Sequence, residues 1–113
     1  MKTLSRNEMM QSLRTMFGED EFIKTSEEFS QELTGGIWMT AEPGPDWKGL
    51  PVFDYYEEAD LLMRDLRAEF PIAGEFKPSY DLGVLIEFGD YLKQRGWYTE
   101  WYDAGTMILW EAQ

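Results

Sequence analysis

Gly96 is the position that most constrains the fold. Before it, residues 81–95 place apolar side chains at helical spacing; after it, residues 97–111 alternate as two paired strands do. Glycine stops a helix readily because it takes the left-handed backbone conformation without steric cost. The pattern predicts a helix over 81–95 and a β-hairpin over 97–111 bent at Asp103, Ala104 and Gly105, with Gly105 left-handed. In that register Trp97, Thr99, Trp101, Met107 and Leu109 share one face, and Tyr98, Glu100, Tyr102, Ile108 and Trp110 share the other. The helix would turn Leu82, Leu85, Ile86 and Leu92 to the core. Gly89 would let it lie close against a neighbour, and Gly83 would cost about 1 kcal/mol relative to alanine inside it.

Upstream, Ser5 and Glu8 are spaced as a capping box, and Met9, Met10, Leu13, Met16 and Phe17 follow at helical intervals up to Gly18. Thr25 and Glu28 form a second such box, opening a short helix that would bury Phe22, Phe29 and Leu33 and end at Gly35 and Gly36. Residues 37–42 alternate as a strand. Residues 43–49, rich in proline and glycine, read as a loop, and residues 50–56 as a second strand that pairs with the first. Pro51 places that strand at an edge or delays its start. Residues 57–70 form a clear helix with Ala59, Leu62, Met63, Leu66 and Phe70 in one stripe, stopped by Pro71. Residues 72–78 are a connector with room for a short strand.

The resulting expectation is one α+β domain over residues 1–113. Strands at 37–42, 52–56, 97–102 and 106–111 would form a small, mostly antiparallel sheet with helices mainly on one face. A hydrophobic content of 43 %, with 16 % aromatic residues, is enough to build a core.

The chain has neither Cys nor His. Disulfides, zinc sites with Cys or His ligands, and catalysis through histidine or a cysteine nucleophile are therefore excluded. No phosphate-cradling glycine motif is present, and Glu19, Asp20 and Glu21 lack the spacing of a calcium loop. The adjacent pairs Glu27 with Glu28 and Glu57 with Glu58 point in different directions from a helix, which does not suit glycoside hydrolysis. The expectation is a non-enzymatic protein without a cofactor. The start has no apolar stretch of signal-peptide length, and no run is long enough to span a membrane, so a soluble, cytoplasmic protein is expected.

Net charge is −12, and −10 of it falls between residues 17 and 63, where twelve acidic residues meet only Lys24 and Lys48. Such a charge repels nucleic acid and anionic membranes and attracts a partner with a basic face. Aromatic side chains (Trp38, Trp47, Tyr55 and Tyr56) sit among these acids, as they do in binding hot spots. The expected partner-binding residues are Glu19, Asp20, Glu21, Glu27, Glu28, Glu32, Asp46, Trp47, Asp54, Tyr56, Glu57 and Glu58. The competing reading is a solvated acidic surface that serves only solubility. Aromatic exposure on the terminal hairpin would also suit a homodimer.

The run Gly96-Trp97-Tyr98-Thr99-Glu100-Trp101-Tyr102-Asp103-Ala104-Gly105-Thr106 resembles the ends of small phage and prophage proteins. The whole chain, being short, acidic, aromatic-rich and free of Cys and His, is similar in character to phage-encoded inhibitors of bacterial defence of the anti-CRISPR and antirestriction type. That resemblance implies an inhibitor that places carboxylates where a host defence complex would bind nucleic acid. It carries no site residue across. Two alternatives share the composition: an immunity protein neutralising a basic nuclease toxin, and a small sugar- or nucleotide-binding module using Trp38, Trp47 and Tyr55.

Overall fold

A computed structural model describes residues 3–18, 23–70 and 77–112. The fold is α+β. Helix α1 (Arg6–Phe17) opens with the expected capping box: the Ser5 hydroxyl accepts the Glu8 N–H, and the Glu8 carboxylate accepts the Ser5 N–H. Met9, Met10 and Leu13 are buried and Met16 and Phe17 pack beside them, so the methionine stripe is core. Strand β1 (Ile23–Thr25) leads into α2 (Ser26–Phe29), a single turn with the second capping box at Thr25 and Glu28. The helix expected to continue to Gly35 stops at Ser30, because the buried Ser26 hydroxyl takes over the following loop. It donates to the Leu33 carbonyl at 2.6 Å and accepts the Gly36 N–H at 2.9 Å. Phe22 lies outside the described residues.

The main sheet has four antiparallel strands in the order β1, β2 (Ile37–Thr40), β8 (Thr106–Glu111), β7 (Trp97–Asp103). The expected partner of the 37–42 strand was the segment ending at Tyr56. Instead β1 takes that edge, pairing Ile23 with Met39 and Thr25 with Ile37. The segment after Pro43 folds on itself: β3 (Asp46–Trp47) pairs with β4 (Leu50–Pro51) across Lys48 and Gly49, both at positive φ as a type I′ turn demands. Residues 52–56 are then not a strand of the main sheet; Phe53 makes one bridge to Val84. Gly36 is fixed by the sheet itself, since a Cβ there would lie 2.7 Å from the Leu109 carbonyl oxygen and 2.9 Å from the Trp110 ring.

Helix α3 (Glu58–Glu69) matches its expected bounds. Pro71, its expected stop, lies outside the described residues, as does most of the connector up to residue 76. The helix expected over 81–95 starts late. β5 (Tyr80–Asp81) and β6 (Val84–Leu85) form a small hairpin, and only then does α4 (Ile86–Lys93) begin. The hairpin turns at Leu82 and Gly83, both at positive φ, another type I′ pair. Gly83 is required there twice over, because a Cβ would also press on the Tyr55 Cα at 3.0 Å and the Trp101 ring at 3.1 Å. As a consequence Leu82 is 82 % exposed at the turn tip and Ile86 is exposed, whereas Leu85 and Leu92 are buried as expected. Gly89 makes no close approach; it opens on a hollow of about 310 Å³ bordered by Ile86, Asp90, Lys93 and Trp101.

The terminal hairpin keeps the expected faces. Thr99 lies opposite Leu109 and Trp101 opposite Met107, while Tyr98 and Trp110 pair on the other face. Its tip is shorter than expected: Asp103 pairs with Thr106, a bulge between Trp101 and Asp103 absorbs the extra residue, and Gly105 does not take positive φ. The core lies where α1 and α4 cover the sheet, around Met39, Phe88, Leu92, Trp97 and Leu109. The chain's start is tied to its end, with the Trp97 indole donating to the Leu4 carbonyl at 2.8 Å. On the opposite face Phe29 packs on Trp38 and Tyr102, with ring centroids 5.1 and 4.7 Å apart. No helix among the described residues is long and apolar enough to cross a membrane.

Candidate binding site

The chain leaves β2 at Thr40 and passes through Ala41 and Glu42, beside the tip of the β7–β8 hairpin at Ala104. The segment from Pro51 to Tyr56 runs past the same place before Glu58 opens α3. Together they enclose a recess of about 200 Å³ bordered by Glu42, Phe53, Asp54, Tyr55, Tyr56 and Glu58. An aromatic chain fixes its wall. From the buried Phe88, rings follow at Phe53 (5.7 Å), Trp101 (5.9 Å), Tyr55 (5.0 Å) and Tyr56 (5.1 Å), all close to edge-on. The Trp101 indole donates to the Leu82 carbonyl at 2.7 Å, which holds the ring next to Tyr55. Tyr55 and Tyr56, at the outer end, are exposed.

The carboxylates around this recess divide by what they already hold. Asp54 accepts the Ala59 N–H at 3.1 Å and so secures the first turn of α3. Glu57, itself left-handed, accepts the Gly83 N–H at 2.9 Å and ties α3 to the small hairpin. Glu42 and Glu58 are exposed on the rim. Rings with negative faces and carboxylates on one rim favour a cation, above all a guanidinium or ammonium side chain. At about 200 Å³ the recess is smaller than the pockets that take sugars or nucleotides and suits a single side chain.

The other acids expected at a binding face are dispersed. Glu27 is part of the scaffold: it pairs with Arg6 at 2.6 Å and accepts the Gly35 N–H at 3.1 Å. The Gly35 amide foremost, its own backbone amide and then Arg6 hold its carboxyl down at about 2. Glu28 is held below its ordinary value mainly by the Thr25 N–H it accepts in the capping box. Glu32 and Asp46 are exposed but lie away from the recess wall. Trp47 packs inward, 6.3 Å from Phe88 and 6.0 Å from Tyr91, with the Lys48 ammonium over its outer face. Glu19, Asp20 and Glu21 lie outside the described residues. The structure thus brings Asp54, Tyr56 and Glu58 together at the recess, turns the Glu57 carboxylate to Gly83 instead, and adds Glu42 and Tyr55. Glu42 counts in the sequence only as charge, and nothing local there signals that it borders the same recess as Glu58.

Among the described residues no group of three carboxylates is gathered as around a metal ion. No protein-family model, curated protein or solved structure matches the chain.

Proposed function

We propose that this protein is a non-enzymatic, acidic binding protein of the anti-CRISPR-like, phage-encoded kind. It seats on a basic nucleic-acid-binding surface of a bacterial defence complex and blocks it by occupying the positions of phosphates. The observation that carries this reading is the recess between Glu42 and Glu58, where two rim carboxylates and two exposed tyrosines converge on a chain of net charge −12. A protruding arginine or lysine of the partner enters the recess, and the surrounding negative field steers the approach and makes it sensitive to salt. The tyrosines supply apolar area at low entropic cost, because their rings are already held by Trp101 and by each other. The test is affinity capture from bacterial lysates containing defence nucleases, washed at low and at high salt, with bound proteins identified by mass spectrometry. Retention of a nucleic-acid-binding protein that high salt or added nucleic acid releases is the expected result. Retention that neither disturbs contradicts the reading.

A further inference from the structure

We propose that α3 is the contact face of a two-fold homodimer, in which two copies lay their α3 helices side by side and parallel. The stripe that the sequence places on this helix is not in the core. Leu62 and Phe70 are each 60 % exposed, and Met63 and Leu66 lie beside them in water. Ala59 in the first turn touches the core, and Asp60 is the buried residue of the helix, so α3 is anchored at its start by polar bonds rather than by its apolar side. A twelve-residue helix is marginal without cover for its apolar stripe. The four side chains leave roughly 400 Å² per copy in water, about half of what one partner contributes to a standard interface, and the charged borders of the stripe supply the remainder.

Charge selects a second copy as the occupant. From Leu61 to Phe70 the two arginines balance Asp65 and Glu69, so this is a neutral stretch on a chain of −12, where two such chains approach with less repulsion than along the acidic segment. At about 100° per residue, Asp65 and Glu69 run down one border of the stripe and Arg67 down the other, with Arg64 farther round on the same side. A two-fold axis parallel to the helix sets the acidic border of each copy against the basic border of the other; an antiparallel pair sets like against like. These charges count whether or not the arginines also make contacts within their own chain.

Light scattering coupled to gel filtration gives the mass, expected at twice the 13.3 kDa of one chain at micromolar concentration. The variant carrying Leu62→Asp and Phe70→Asp is expected to run as a monomer with unchanged circular dichroism, its dimer weakened at least about tenfold. Because the chain has no Cys, Leu66→Cys and Phe70→Cys are clean reporters. In the parallel pair each residue faces its own copy, so both variants form a disulfide-linked dimer on mild oxidation. A monomeric wild type overturns the proposal and leaves the stripe to a different protein. A dimer that survives the double substitution overturns it too, and cross-linking at only one of the two positions overturns the parallel arrangement.

Discussion

The Asp60 carboxylate holds the backbone of Tyr80. Its Oδ2 accepts the Tyr80 N–H at 3.0 Å while Oδ1 accepts the Ser79 N–H at 2.9 Å, in a site where Asp60 is 5 % exposed. Two residues far apart in sequence are thereby joined, and with them α3 and the β5–β6 hairpin. Charge-assisted bonds to backbone amides are among the stronger ones, and removing the acceptor leaves two donors without a partner.

Asp60→Ala is therefore expected to cost about 1–3 kcal/mol. Urea unfolding should show the midpoint falling, and amide exchange should quicken first in α3 and at Ser79 and Tyr80. An unchanged midpoint would show that α3 is held by something else.

Glu27 contributes to the acid limb of stability, in the same direction as Glu28. Its folded carboxyl titrates at about 2, against an ordinary value of 4.5. Between those values the unfolded chain binds the proton and the folded chain does not, so stability is full above about 4.5 and is lost as pH falls toward 2. Glu27→Gln should lower the melting temperature at neutral pH and flatten its fall across that window. Thermal melts between pH 7 and pH 2 read both effects, and parallel curves for the two proteins would count against this role.

Tyr80 acts at the alkaline end. Its hydroxyl donates to the Pro51 carbonyl at 2.6 Å, and burial foremost, then the charges of Asp54, Asp60 and Asp46, pushes its pKa up to about 12. The folded chain keeps this proton where the unfolded chain releases it near 10, so stability declines as pH rises from 10 toward 12. Tyr80→Phe should cost about 1 kcal/mol at neutral pH and remove part of that decline. Denaturant titrations at pH 7 and above pH 10 separate the two contributions.

What was legible in the sequence was mostly local. The capping boxes at Ser5 and Thr25 are read from residues three apart, and the faces of the terminal hairpin from simple alternation. Strand pairing was harder, because Ile23–Thr25 is three residues with a single apolar side chain and gives little strand signal, whereas residues 52–56 give more; only the packed fold decides which one joins Ile37. The turn at Leu82 and Gly83 was hidden because leucine rarely takes positive φ, costing about 1–2 kcal/mol, so its helical spacing dominated. At the site, a sequence cannot tell a carboxylate that accepts a backbone amide, as Glu27, Asp54 and Glu57 do, from one that faces a partner. The recess itself depends on the segments carrying Glu42 and Glu58 both bordering it beside Ala104, which is a property of the fold.

The central claim is that this recess, and not acidity in general, recognises a basic partner. The measurement that tests it most directly is the affinity of the captured partner for three forms: the wild type, the double variant Glu42→Lys with Glu58→Lys, and Glu111→Lys, which reverses one exposed charge outside the recess. The double variant is expected to lose at least about tenfold in affinity with its fold intact, and Glu111→Lys to lose far less. Equal affinity for all three forms would contradict the account.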